Sequence, residues 1–205
     1  QMHIAFLEYS QRFHDACPIG YVEGYKQMDY MAYRTNGSGA KWVTIGLFRL
    51  AGLMKMGQMY YCPTRTNDSS NGYNVPDNLW PAKPTDDVPP LPTLRIAYAV
   101  RPAVEWTNLN PPSAQNMPRL TKIKNRALIA DLMSNPFDVQ IAHKKGVNVL
   151  YGNGSAVWVP LGMIQRDLDQ CTPTFSSSND IYQDHIWDAL DRGEALPVTS
   201  APPPR

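Results

Sequence analysis

A-H-K-K-G-V-N-V-L-Y-G-N-G-S-A-V-W-V-P, from Ala142 to Pro160, decides how the rest of the chain is read. Two β-prone runs, Val147 to Tyr151 and Ala156 to Val159, flank Gly152-Asn153-Gly154-Ser155. An Asn-Gly pair between β-branched and aromatic runs signals a tight hairpin, because both residues tolerate positive φ. The turn is expected at Asn153-Gly154, with Trp158 on the core side of the second strand. Upstream, Arg126 to Met133 reads as the next strand, a helix being the alternative, and Leu94 to Val100 alternates as a half-buried strand should.

Outside this sheet the pattern changes from period two to the helical period. Met2, Phe6, Tyr9 and Phe13 form one apolar stripe in Gln1 to Ala16, widened by Ile4, Ala5 and Leu7, and Pro18 and Gly20 close the helix. Lys41 to Met54 reads as a second helix with two interior glycines, Gly46 and Gly52. Leu161 to Leu168 reads as a short helix or turn. Asp180 to Arg192 is a final helix that buries Ile181, His185 or Ile186, Ala189 and Leu190, with Gly193 at the position where a helix favours glycine. Thr64 to Pro92 and Pro102 to Thr121 are turn-rich and read as long surface loops, Trp80 and Pro81 anchoring the first. The expected fold is α+β: an N-terminal amphipathic helix packed on a small antiparallel β-sheet with long loops. One domain spans 1–198, with a helix stem at 1–16, a helix and sheet core at 41–160 and a final helix at 180–192. Residues 199–205 form a Pro-rich tail.

Composition excludes more than it assigns. A net charge of +1 gives no basic face for nucleic acid. No apolar run approaches the roughly 18 residues that cross a bilayer. His3, His14, His143 and His185 fall into no HxH or HExxH spacing, and Cys17, Cys62 and Cys171 into no CxxC, so no metal motif is present. No GxSxG elbow, GxGxxG or P-loop occurs either, and no catalytic residue is assigned. Asp131, near the end of its strand, is placed to pair with His143 or with Arg101. Nine extended residues span nearly 30 Å at about 3.3 Å each, which keeps His143 away from Asn153.

The hairpin stretch also carries a resemblance. His143, nine residues, then Asn153-Gly154 is similar to the signature of a prepilin-like family in which a His is followed after nine residues by Asp-Gly; Asn replaces the Asp here. W-V-T-I-G-L-F-R-L-A-G-L before M-Y-Y-C-P-T, which contains Tyr60, Cys62 and Pro63, and I-W-D-A-L-D-R-G from Ile186 to Gly193, resemble that family in the same order.

The resemblance implies a pilin or pseudopilin-like domain, extracytoplasmic in the periplasm or at the cell surface. It would be anchored in its precursor by an N-terminal membrane helix absent from this chain. The implied function is that of a structural subunit of a type IV pilus-like or type II secretion pseudopilus-like filament, with itself or other pilin-like subunits as partners and no enzymatic activity. His143, Asn153 and Gly154 are then signature positions of structural weight. In an exported protein one cysteine pair can bridge in three ways; a bridge between Cys62 and Cys171 is the expected one, and three buried thiols the alternative. No cofactor is implied beyond Ca²⁺, which type II pseudopilins bind in a loop; Asp86-Asp87 and Asp167 with Asp169 are the acidic pairs available, and Asn at 153 removes a hard ligand there. The rivals are an extracytoplasmic binding module that stacks glycan or exported protein on Trp80 and Trp106, aided by Tyr73 and Tyr98, and a hydrolase with its site split among loops.

Overall fold

Antiparallel pairing organises the chain into two small sheets. The computed structural model describes residues 1–20, 25–36, 39–65, 68–81, 93–103 and 117–193. In chain order the elements are α1 (Met2–Arg12), β1 (Met31–Asn36), β2 (Gly39–Trp42), α2 (Leu47–Leu50), β3 (Thr93–Arg95), β4 (Tyr98–Val100), β5 (Ala127–Asp131), α3 (Pro136–Ala142), β6 (Gly146–Tyr151), β7 (Ala156–Pro160), α4 (Gln165–Leu168) and α5 (Asp180–Gly193). One sheet has the order β2-β1-β3 and the other β4-β5-β6-β7. The class is α+β. Among the described residues no helix is long and apolar enough to cross a membrane.

Leu94 to Val100 is two strands, not one. Alternation holds as far as Ile96, but Ile96 and Ala97 are both fully buried, after which Ala99 is buried and Tyr98 half-buried. That one-residue phase slip moves the later side chains to the other face. Leu94 pairs with Tyr33 of β1 and Tyr98 with Asp131 of β5, so the chain leaves the first sheet and enters the second; between them Ile96 N–H donates to Tyr30 O and Ala97 N–H to Tyr60 O. Residues 41–54 also differ from expectation: Lys41 and Trp42 end a strand, Thr44–Gly46 is a 3₁₀ turn, and only Leu47–Leu50 is α-helical. Gly46 is closely packed: a Cβ there would strike the Ala32 backbone, including its Cα at 2.9 Å.

α1 buries Ala5, Phe6, Tyr9 and Ser10 and sets Phe6 edge-on to Phe48 at 4.9 Å. Ile4 and Leu7 do not widen the buried stripe; they are 57% and 41% exposed on the opposite side. The helix stops short of Ala16 because His14 and Asp15 take positive φ and Asp15 caps the Thr121 backbone N–H. α5 lies against the second sheet, where Tyr151 Oη donates to Leu190 O at 2.6 Å. It buries Ile186, Trp187, Ala189 and Leu190 but leaves Ile181 exposed.

The hairpin forms with its turn one residue earlier than expected. Gly154 N–H donates to Tyr151 O and Tyr151 N–H to Ser155 O, which places Gly152 and Asn153 at the turn centre and Gly154 in the left-handed position at φ +92. This is the three-residue hairpin, a turn followed by a glycine bulge, instead of the two-residue Asn-Gly turn. Asn153 Oδ1 accepts the Ser155 N–H at 2.8 Å and steadies it. Trp158 is 43% exposed; the large buried indole belongs to Trp187.

Candidate functional site

Three segments meet beside the open end of the hairpin. The first is the turn Cys62-Pro63-Thr64-Arg65, closed by Arg65 N–H donating to Cys62 O, with proline at the second position that pre-sets its φ. The second is the C-terminal end of β5, where the ladder to β6 runs out after Ala130 and Val149. There Asp131 Oδ2 takes over, accepting the Asn148 backbone N–H at 2.6 Å and the Asn148 amide at 2.9 Å. The third is the junction of α3 and β6. Asn135 caps α3 by accepting from Phe137 and Asp138 N–H, Pro136 occupies its first turn, and His143 is its C-cap. Lys144 at φ 61 then reverses the chain into β6.

A buried ion network holds the first and third segments together. Arg65 donates to Asp68 Oδ2 at 2.6 Å and to Asp138 Oδ1 at 3.0 Å, with about 1% of its side chain exposed. Burial pushes the Asp138 carboxyl up despite Arg65 beside it. Burial opposes ionisation of Asp68 as well, but the Asn71 N–H, Arg65 and the Ser70 N–H outweigh it and hold that carboxyl below the usual range. Because Arg65 follows Cys62 by three residues and Asp138 lies on α3, the helix that His143 ends, this network fixes the two site residues relative to each other.

His143 Nε2 lies 3.4 Å from Cys62 Sγ and 3.2 Å from Asp131 Oδ2. The three donor atoms sit within 4.8 Å of one another, and among the described residues this is the one such group of His, Cys or acidic side chains. Cys62 and Asp131 are buried and His143 is part-exposed. Thr64 Oγ1 is 2.9 Å from the sulfur, and the Trp158 ring stands edge-on to the His143 imidazole at 5.7 Å. Gly146 leaves room for that indole, since a Cβ there would come within 2.8 Å of it. Burial raises the Tyr98 phenol, and the neighbouring Cys62 and Asp131 charges add to the effect.

The expected Asp131–His143 pair is present. Arg101 instead forms a two-pronged contact with Asp191 at 2.8 and 3.0 Å. His143 and Asn153 do occupy opposite ends of the hairpin. Gly154 is covered by His3, whose ring would lie 2.7 Å from a Cβ there, and His3 Nε2 is 3.3 Å from Gly152 O. The Cys62–Cys171 bridge is not formed: all three cysteines are free and buried. Cys62 Sγ faces His143, whereas Cys171 Sγ faces Asp167 O and receives the Gln183 amide, so the two sulfurs have separate surroundings. Burial raises both the Cys17 and the Cys171 thiols.

Trp80 packs on Tyr60 at 4.8 Å and on Tyr61 and Trp42, with Gly57 beneath it, so it anchors its segment as expected; it stays half-buried and lines a cavity with Tyr73 and Pro81. Trp106 and Asp86-Asp87 lie outside the described residues. Asp167 is engaged by His185 and Arg166, and Asp169 by Gln165. A cavity of about 270 Å³, lined by Tyr30, Asp68, Asn135 and Phe137, borders the Arg65 network and does not include Cys62 or His143.

Sequence reasoning missed Asn148, Thr64 and the Arg65–Asp138 tie, and with them α3. The signal for α3 was present in Ser134-Asn135-Pro136, a capping residue followed by proline at the first helical position. No family model, no curated protein and no solved structure matches the chain.

Proposed function

We propose that this chain is a non-catalytic, extracytoplasmic subunit of a pilin-like filament of the type IV pilus or type II secretion pseudopilus kind. The supporting observation is that segments resembling prepilin-like proteins lie against the same hairpin: Leu190 of the 186–193 segment accepts from Tyr151. The Cys62 turn touches His143, and the Gly152–Gly154 turn carries His3 of α1.

The outer side of α1 fits the same reading. Ile4 and Leu7 are neighbours three residues apart, both exposed, facing away from the side that meets Phe48. The subunits would associate through that face and through helix sequence ahead of it, with other pilin-like chains or copies of this one as partners. The rival reading as a binding module has Trp80 as a half-buried ring packed on Tyr60, and Tyr73 beside it, 38% exposed.

Electron microscopy of the native full-length gene product tests the proposal. Filaments that disappear or thin out in an Ile4→Asp, Leu7→Asp double variant are the expected result. A discrete monomer from the native host, unchanged by the double variant, would overturn it.

A further inference from the structure

We propose that Cys62, Asp131 and His143 are ligands of a single zinc-class ion, a divalent transition metal of borderline softness held by one thiolate, one imidazole and one carboxylate. This goes beyond the filament reading and does not depend on it.

Distances carry the argument first. At the bond lengths zinc takes to sulfur, nitrogen and oxygen, a tetrahedral arrangement separates sulfur from nitrogen by about 3.6 Å and nitrogen from oxygen by about 3.3 Å. Here the corresponding separations are 3.4 and 3.2 Å. The donors come from a turn, a strand end and a helix end that the Arg65 network and the β5–β6 pairing hold in place, so little rearrangement is needed to surround an ion.

The rival chemistry of these residues is nucleophilic catalysis. A cysteine–histidine–aspartate relay uses the two imidazole nitrogens separately, one toward the nucleophile and one toward the acid. In this protein Cys62 and Asp131 both approach Nε2. One nitrogen cannot serve both ends of a relay, but one lone pair directed at a point shared with a sulfur and an oxygen is what a metal uses. Donor type selects the ion: thiolate with imidazole favours zinc and its neighbours, whereas Ca²⁺ takes oxygen ligands.

Asn148 holds the carboxylate in place, donating to Asp131 Oδ2 from its backbone N–H and its amide. On binding, the Cys62 S–H bond breaks as the sulfur–metal bond forms, and the proton passes to solvent. His143 binds through its Nε2 lone pair as the tautomer protonated on Nδ1. Thr64 Oγ1 then donates to the thiolate, and nothing is oxidised or reduced. Three protein ligands leave a fourth position for water. The ion ties the Cys62 turn to β5 and to the α3–β6 junction.

The test is cobalt(II) titration of the reduced, chelator-stripped full chain, followed by absorbance, with zinc(II) as competitor. One equivalent is expected to produce a thiolate-to-cobalt charge-transfer band and tetrahedral visible bands, both displaced by zinc, together with a thermal midpoint that rises with zinc concentration. Cys62→Ser abolishes the charge-transfer band, while Cys17→Ser and Cys171→Ser retain it. Asn148→Ala weakens affinity by about 10–100-fold. A wild-type chain that gives no thiolate band overturns the proposal whatever its variants do, as does a band that survives Cys62→Ser. A native full-length product that forms no filaments yet still binds cobalt would count against the filament reading alone.

Discussion

The two ends of the β6–β7 hairpin make opposite use of similar residues. Each carries a histidine and a glycine. At the turn end, His3 lies against Gly154, and the contact is steric: glycine supplies positive φ and the space the ring occupies. At the open end, His143 meets Cys62 and Asp131 through one nitrogen, and Gly146 makes room for the Trp158 indole beside it. One end is packing. The other gathers atoms that do chemistry. The nine-residue spacing from His143 to Asn153-Gly154 therefore joins two separate jobs, set apart by the length of a strand.

The largest effect should come from the support of the open end. Arg65→Ala leaves Asp68 and Asp138 as buried carboxylates with their cation gone, which costs about 3–5 kcal/mol of stability. Urea denaturation measures this; a loss below 1 kcal/mol would mean that the Cys62 turn and α3 are held by something else. Turn-end chemistry should cost less. Gly154→Val combines a strained φ with collision against His3, for a loss of about 2–3 kcal/mol. Adding His3→Ala should return the collision share but not the backbone share, so a double-mutant cycle separates the two. Full additivity would show that His3 does not rest on this glycine. The smallest change is expected at Trp158→Ala, about 1 kcal/mol, against the 3–5 kcal/mol typical of a buried aromatic. A cost in the upper range would place this indole in the core after all.

How much of this was legible in the sequence depends on the range of the interaction. The hairpin, α1, β5 and α5 follow from local periodicity and turn chemistry, and each lies within a few residues of its expected place. Residues 94–100 read as one strand because a seven-residue alternating run looks alike whether or not the phase slips at Ile96 and Ala97; only the pairing of β3 with β1 and of β4 with β5 reveals the switch between sheets. Trp158 was placed in the core on alternation alone. Nothing local says that Gly146 and His143 would draw its ring across the outer face. The Asp131–His143 pair was legible because only twelve residues separate its members in a predicted strand and hairpin. Cys62 was not, since it reaches His143 across 81 residues. Its partner set depends on α3, whose short run Pro136–Ala142 has little helical period to show.

The central claim is that the open end of the hairpin is a chemical site and the turn end is not. Its most direct test places one histidine against the other: cobalt(II) absorbance of His143→Ala beside that of His3→Ala, each checked for native circular dichroism. The account predicts that the thiolate-to-cobalt band vanishes in the first and persists in the second. Equal spectra from the two variants would contradict it.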